Sequence, residues 1–246
     1  MSVTIVIPRK GINDDGQGKK HALHKLISAA TTDYVWLQDD DIIPPTETPH
    51  SDADLLILPL KMQGGDTILE RLQIAEYAAI QQLTINTAKN GKPILCSGAN
   101  MIVRRERWLE SWQDLHPEIP SGDDMFLLES FKRRGLKIDV LDDERYTATV
   151  QAAKTWSSFF RQRMRWAGKA PHYTDKDIRR YGTFVLAANI LQLLCPPILF
   201  LKFPVEYRLI KKRDVHVSFG TALLLEIVYP LYILICLVGG LFQKQW

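Results

Sequence analysis

Three short stretches carry residue types able to act on a charged substrate. In the first, Val35-Trp36-Leu37-Gln38 runs directly into Asp39, Asp40 and Asp41. Three adjacent carboxylates repel one another and lose solvation when covered. Such a triplet therefore suits either a solvated turn or a strongly positive neighbour such as a divalent metal, which prefers oxygen ligands. In the second, Ser121-Gly122-Asp123-Asp124 precedes the apolar run Met125-Phe126-Leu127-Leu128. One aspartate there would cap a helix, a task Asp123 suits, and the pair holds one acid more than a cap needs. The third is Phe160-Arg161-Gln162-Arg163-Met164-Arg165-Trp166. At helical spacing Arg161, Arg165 and Lys169 share one face, and Trp156, Phe160 and Ala167 share another. An interfacial helix meeting lipid phosphates has that pattern.

These residues need elements to hold them. Residues 3–7 read as a β-branched strand stopped by Pro8, and a polar, Gly-rich loop then leads into a helix beginning near His21. Residues 34–37 and 55–60 read as further strands, with the acidic triplet at the carboxyl end of the first. Thr67-x-x-Glu70 has the capping-box pattern and opens a long helix that ends at Asn90-Gly91. Residues 94–96 and 101–103 flank Ser97-Gly98-Ala99-Asn100. Helices are expected over 107–112 and 123–134, and a strand over 137–141. Strands alternating with helices predict an α/β domain with a mainly parallel sheet, in which working residues collect at the carboxyl ends of strands.

Composition points to a membrane, with fully buried helices of a soluble protein as the alternative. The chain of 246 residues has a formal charge of +3, which does not suggest nucleic acid, and its three cysteines show no metal-ligand or disulfide spacing. Residues 182–201 lack formal charge, and residues 219–242 carry only Glu226. Each run is long enough to cross a hydrocarbon core of about 30 Å, with Pro196 and Pro197 kinking or breaking the first. Glu226 must be paired, solvated or protonated there, or sit near one end of a shifted span. The basic cluster ahead of residue 182 places the N-terminal part in the cytoplasm, although Lys211, Lys212 and Arg213 between the two runs would then face outward unless that linker is an interfacial loop. The expected organisation is an α/β domain over 1–150, a basic interface region over 151–181 and two transmembrane helices over 182–246.

Taken together, the three stretches resemble the membrane-bound family 2 glycosyltransferases of GT-A fold. That family reads D-x-D, then (T/G)(E/D)D-x-x-L, then Q-x-x-R-W, matched here by Asp39-Asp40-Asp41, Gly122-Asp123-Asp124 and Gln162-Arg163-Met164-Arg165-Trp166. Gly18-Lys19-Lys20-His21-Ala22-Leu23 looks like its GK-x-x-AL segment, and Ser97-Gly98-Ala99-Asn100 looks like its acceptor-side segment. The resemblance implies transfer of a sugar, with inversion, from a nucleotide-diphosphate sugar to a lipid-linked or polysaccharide acceptor. It implies Mg²⁺ or Mn²⁺ on Asp39 and Asp41, with Lys19, Asp40 and Arg165 also on the donor side. Asp124 would be the base with Asp123 beside it, and Gly98, Asn100, Gln162 and Trp166 would face the acceptor. The matching relatives are bacterial, which implies a multi-pass protein of the inner membrane with a cytoplasmic catalytic domain.

The front of the chain departs from the family pattern. Only about ten residues separate Pro8 from Gly18, where the family places its base- and ribose-binding elements, and Asn13-Asp14-Asp15-Gly16 imitates one of those elements without a strand of its own. The expectation is a shortened nucleotide half-site. Two other readings stay open: a non-catalytic membrane protein on a glycosyltransferase scaffold, and a metal-dependent phosphohydrolase using the same acids.

Overall fold

A computed structural model describes residues 2–9, 18–119, 121–213 and 215–242. Asn13-Asp14-Asp15-Gly16 and the terminal Gln243-Lys244-Gln245-Trp246 lie outside the described residues. The chain divides into two units, one of Met1–Leu60 and Thr84–Val150, the other of Lys61–Leu83 and Gln151–Trp246.

The first unit is built on a five-stranded sheet. Its strands are β1 (Val3–Val6), β2 (Tyr34–Gln38), β5 (Asn100–Arg104), β3 (Leu55–Ile57) and β6 (Ile138–Val140), in that spatial order. β1 pairs parallel with β2 and β3 with β6, while β5 runs antiparallel to both β2 and β3. Four strands therefore share one direction and the sheet is mainly parallel, as the alternation of strands and helices predicts. Every residue of β2 is buried, consistent with a central strand covered on both faces. Tyr34, Trp36, Leu56, Leu58 and Ile102 form one core layer. Helices α1 (Lys19–Ala29), α3 (Arg105–Glu110) and α4 (Asp123–Arg133) supply further core, with Leu23, Ile27, Trp108, Phe126 and Phe131 almost fully buried. Two further strands, β4 (Leu60–Gln63) and β7 (Ala148–Gln151), lie where the chain passes from one unit to the other.

Helix α2 (Ile68–Lys89) opens with the expected box: Thr67 Oγ1 accepts from Glu70 N, and the Glu70 carboxylate accepts from Thr67 N, each at 3.3 Å. The second unit holds the start of α2 and the C-terminal helices α5 (Trp156–Ala167), α6 (Lys176–Leu194), α7 (Leu199–Lys211) and α8 (Phe219–Phe242). Leu72, Ala75 and Ala78 meet Ile210, Val217, Ala222 and Leu225 in one apolar cluster. Helices α5 and α8 approach closely at Gly240, where an added Cβ would lie 2.8 Å from Met164 O and 2.7 Å from Gly168 N, so only glycine fits.

The expected first span is corrected here. Residues 182–201 do not form one helix, because α6 ends at Leu194, residues 196–198 form a 3-10 turn and α7 restarts at Leu199. Pro196 and Pro197 have no backbone donor, which ends the α-helical ladder. Among the described residues, only Phe219–Phe242 is a helix long and apolar enough to cross a membrane. Glu226 on α8 is 1 % exposed, and Lys202 Nζ lies 2.7 Å from its Oε1. Glu226 is thus paired with an ammonium that it shares with Glu206.

Candidate active site

The site begins at the carboxyl end of β2. The antiparallel register places Gln38 opposite Asn100, so the chain entering β5 passes beside the chain leaving β2. Asp39, half-buried, follows the strand, while Asp40 and Asp41 occupy an exposed turn. A reciprocal backbone pair between Ile43 and Thr149 anchors the exit of that turn. The Asp41 carboxyl is raised above its ordinary range, first by burial and then by the charge of Asp39. A carboxyl whose ionised form is disfavoured by a neighbouring carboxylate is complementary to an added cation.

Lys19, the first residue of α1, reaches this turn and donates to Asp39 Oδ1 at 2.5 Å. Burial lowers the Lys19 ammonium, but the charges of Asp123, Asp39 and Asp124 outweigh it and hold the group charged above its usual value. The Asp123-Asp124 pair therefore shares this electrostatic environment with Asp39, more than eighty residues earlier in the chain.

Helix α4 delivers that pair. Its N-cap is Gly122, at φ 85° and ψ 20°, a left-handed conformation natural to glycine. The reading of Asp123 as the cap is corrected: it is the first helical residue, 3 % exposed, and its Oδ2 has no hydrogen-bond partner. Asp124 is half-buried. Its Oδ1 accepts from Met125 N at 2.8 Å and its Oδ2 from Gly98 N at 3.2 Å, which fixes the carboxylate plane. A Cβ on Gly98 would lie 3.1 Å from Asp123 Oδ2, 3.7 Å from Lys19 Nζ and 3.8 Å from Asp124 Cβ. Gly98 thus sits among three of the expected site residues. Cys96 donates to Asp124 O at 3.1 Å, and burial together with the charges of Asp124 and Asp123 pushes its thiol well up. A thiol so placed is kept protonated and is a poor nucleophile.

Asn100 has a different place from the one expected. It is 1 % exposed; its Oδ1 accepts from Trp36 Nε1, and its Nδ2 donates to Pro59 O and Tyr146 O, all at 2.9 Å. Both amide hydrogens are used, so Asn100 braces β2, β5 and the segment before β7 from below, and does not present a donor to an acceptor. Lys20 was missed by its pattern alone. Buried beside Phe126, it donates to Leu115 O and His116 O and so ties the start of α1 to the loop that leads into α4. The adjacent lysines 19 and 20 point different ways from the helix, one to the acids and one to the core. Two successive lysines opening a helix were the available signal.

Gln162, Arg165 and Trp166 lie on α5 in the second unit. Trp166 is 37 % exposed, with the Arg163 guanidinium 4.3 Å from its ring centre, and Gln162 Oε1 accepts from Arg163 Nη1 at 2.8 Å. Arg163, which the motif leaves as a spacer, is the buried member of the segment. Its Nη2 donates to Glu76 Oε2 at 2.7 Å, and Tyr232 Oη donates to Glu76 Oε1 at 2.8 Å. One carboxylate on α2 thereby ties α5 and α8. Among the described residues no group of three or more His, Cys, Asp or Glu is arranged to hold a metal.

Comparison with known proteins gives three results. No curated protein matches. Among solved structures, the chain is similar to the mannosyltransferase PcManGT from Pyrobaculum calidifontis in complex with GDP-Man and Mn²⁺, at 15 % identity and a TM-score of 0.48, over 93 % of this chain and 68 % of that one. Residues 6–169 match the family described as glycosyltransferase like family 2, a stretch that contains the acidic turn, Gly98, the Asp123-Asp124 pair and the Gln162-x-x-Arg165-Trp166 segment. The chain belongs to the glycosyltransferase family 2-like proteins.

Proposed function

We propose that the chain transfers a sugar from a nucleotide-diphosphate donor to a hydroxyl of a lipid-linked or polysaccharide acceptor, with inversion, at a membrane. The observation that carries this reading is the convergence of Lys19, Asp39, Gly98, Asp123 and Asp124 in the first unit of a family 2-like glycosyltransferase. Asp124 is the base. Its carboxylate is oriented by two backbone amides and remains half-buried, so it keeps lone pairs for the proton of the acceptor hydroxyl. The hydroxyl oxygen attacks the anomeric carbon while the bond to the diphosphate oxygen breaks, and its electron pair leaves with the nucleotide.

Lys19 neutralises the departing diphosphate in part, and Arg165 is assigned to the same charge. Asp39 and Asp41 offer hard oxygen donors suited to Mg²⁺ or Mn²⁺, which when bound would offset the charge developing on the diphosphate. Gln162 and Trp166 are assigned to the acceptor. The exposed apolar stripe of α8, with Ile227, Leu231, Ile235 and Val238 each at least half exposed, supports the membrane reading.

The test is calorimetric binding of UDP, GDP, dTDP and CDP to detergent-purified protein with and without Mn²⁺, followed by turnover with each matching sugar donor. Metal-dependent binding that disappears in Asp39→Ala supports a donor site. Binding without turnover would favour the non-catalytic scaffold, and product release without an acceptor would favour the phosphohydrolase.

A further inference from the structure

Helices α6 and α7 do not continue one another. Lys202 on α7 donates to Asn189 Oδ1 on α6 at 2.8 Å, thirteen residues back in the chain. A straight helix would separate those positions by about 20 Å, so the chain reverses between them. The reversal is the 3-10 turn over residues 196–198. Around it the surface is apolar and open: Leu194 and Phe200 are each 78 % exposed and Leu201 is 73 % exposed. The far ends of both helices carry an excess of basic residues, with Lys176, Arg179 and Arg180 against Asp175 and Asp177 at the start of α6, and Arg208 and Lys211 at the end of α7.

Neither arm is long enough to cross. The part of α6 after Arg180 and the thirteen residues of α7 each measure about 20 Å, against a hydrocarbon core of about 30 Å. By contrast, the 24 residues of α8 measure about 36 Å. Polar side chains between the arms are answered internally. The Lys202 ammonium also meets Glu226 Oε1 at 2.7 Å, Gln192 Oε1 at 3.3 Å and Glu206 Oε1 at 3.4 Å, and Gln192 Nε2 donates to Glu226 O at 2.9 Å. Irregular backbone and charge survive at membrane depth only when enclosed by protein in this way.

We infer that α6 and α7 form a re-entrant hairpin, whose apolar tip dips into one leaflet of an anionic bilayer and whose two basic ends lie on the same membrane face, leaving α8 as the crossing helix. The inference rests on the membrane reading proposed above and specifies its topology. A bilayer is the occupant that matches both features, an apolar tip and paired basic ends, since Lys and Arg gather where anionic headgroups lie. It also removes a difficulty of charge. A span over 182–201 would put the basic start of α6 and the basic end of α7 on opposite faces, whereas a hairpin puts them together.

The experiment uses the full chain in vesicles of zwitterionic and anionic phosphatidyl lipids. Arg180→Cys and Lys211→Cys are introduced together after Cys96→Ser, Cys195→Ala and Cys236→Ala, and a membrane-impermeant maleimide is added outside. Intact mass then counts labels per molecule, whichever way each molecule inserted. The hairpin gives molecules with two labels or none. Molecules with one label each would overturn it while leaving membrane insertion intact. Separately, a nitroxide on Cys195, with Cys96 and Cys236 replaced, reports depth. Relaxation by oxygen in preference to an aqueous nickel chelate is the expected result. Aqueous exposure, or Cys195-to-Cys195 crosslinking that shows a second copy on the tip, would overturn it. Failure of the wild-type protein to float with the vesicles would defeat the membrane reading itself.

Discussion

At the scale of single residues, Asp124 and Gly98 have separable roles. Replacing Asp124 with Asn keeps the size and one of the two backbone contacts but removes the proposed base, so turnover should fall by roughly 10²–10⁴-fold with nucleotide affinity preserved. Calorimetry and a coupled nucleotide-release assay on the same sample check this, and transfer surviving in Asp124→Asn would defeat the assignment. Gly98→Ala places a methyl 3.1 Å from Asp123 Oδ2, which is buried and has little room to yield. The expected outcome is a lower kcat, on the order of tenfold, with a small change in melting temperature, because displacing a catalytic group by a fraction of an ångström costs rate before stability. A normal kcat in Gly98→Ala would mean that the pair tolerates movement.

Elements are held by polar contacts whose loss has a predictable sign. The Glu70 carboxylate is lowered to about 2, chiefly by the hydrogen bond from Thr67, then by Gly65 N–H and Lys154. A carboxylate lowered on folding stabilises the folded state above its unfolded value of about 4.3, and the contribution is lost as pH falls toward about 2. Urea denaturation between pH 6 and 2 should show wild type losing stability across that window. Glu70→Gln should be less stable than wild type at pH 6 and converge with it at the acid end, and parallel curves would refute the cap's contribution. The Glu76–Arg163 pair is buried on both sides. Arg163→Met alone should cost about 3–5 kcal/mol by leaving Glu76 unpaired, and Glu76→Gln added to it should recover part of that loss. Thermal unfolding of the single and double variants in detergent measures the difference.

For the whole molecule, α8 decides the outcome. Its exposed stripe recurs every three or four residues through Ile227, Leu231, Ile235 and Val238, while Gly240 lies against α5 on the other side. Leu231→Lys with Ile235→Lys should sharply reduce co-flotation with lipid vesicles, each lysine costing about 2.5–3.5 kcal/mol near a helix centre. Unchanged flotation would exclude α8 as the crossing segment. The charge pattern gives a second check. Added salt should weaken any part of vesicle binding that depends on the basic ends of α6 and α7, and leave the part carried by apolar burial.

Much of the fold was written in local pattern. Val, Ile and Trp clusters named the strands, Thr67-x-x-Glu70 named the start of α2, and the positions of Asp39, Gly122, Asp124 and Gln162 along the chain pointed to one family. Those signals are legible because propensity, capping and hydrophobic period act over a few residues. Other features depended on groups distant in sequence. Asn100 proved to be a brace because Trp36, Pro59 and Tyr146 consume its amide, and Arg163 became the buried arginine because Glu76 and Tyr232 face it. Residues 182–201, apolar enough to read as a span, instead reverse at Pro196 and Pro197 because Lys202 finds Asn189 and Gln192 on the returning arm. Composition along the chain determined which segments are apolar and which acids stand next to one another. Only the tertiary structure decided which polar groups are already satisfied, because satisfaction depends on partners that local sequence does not contain.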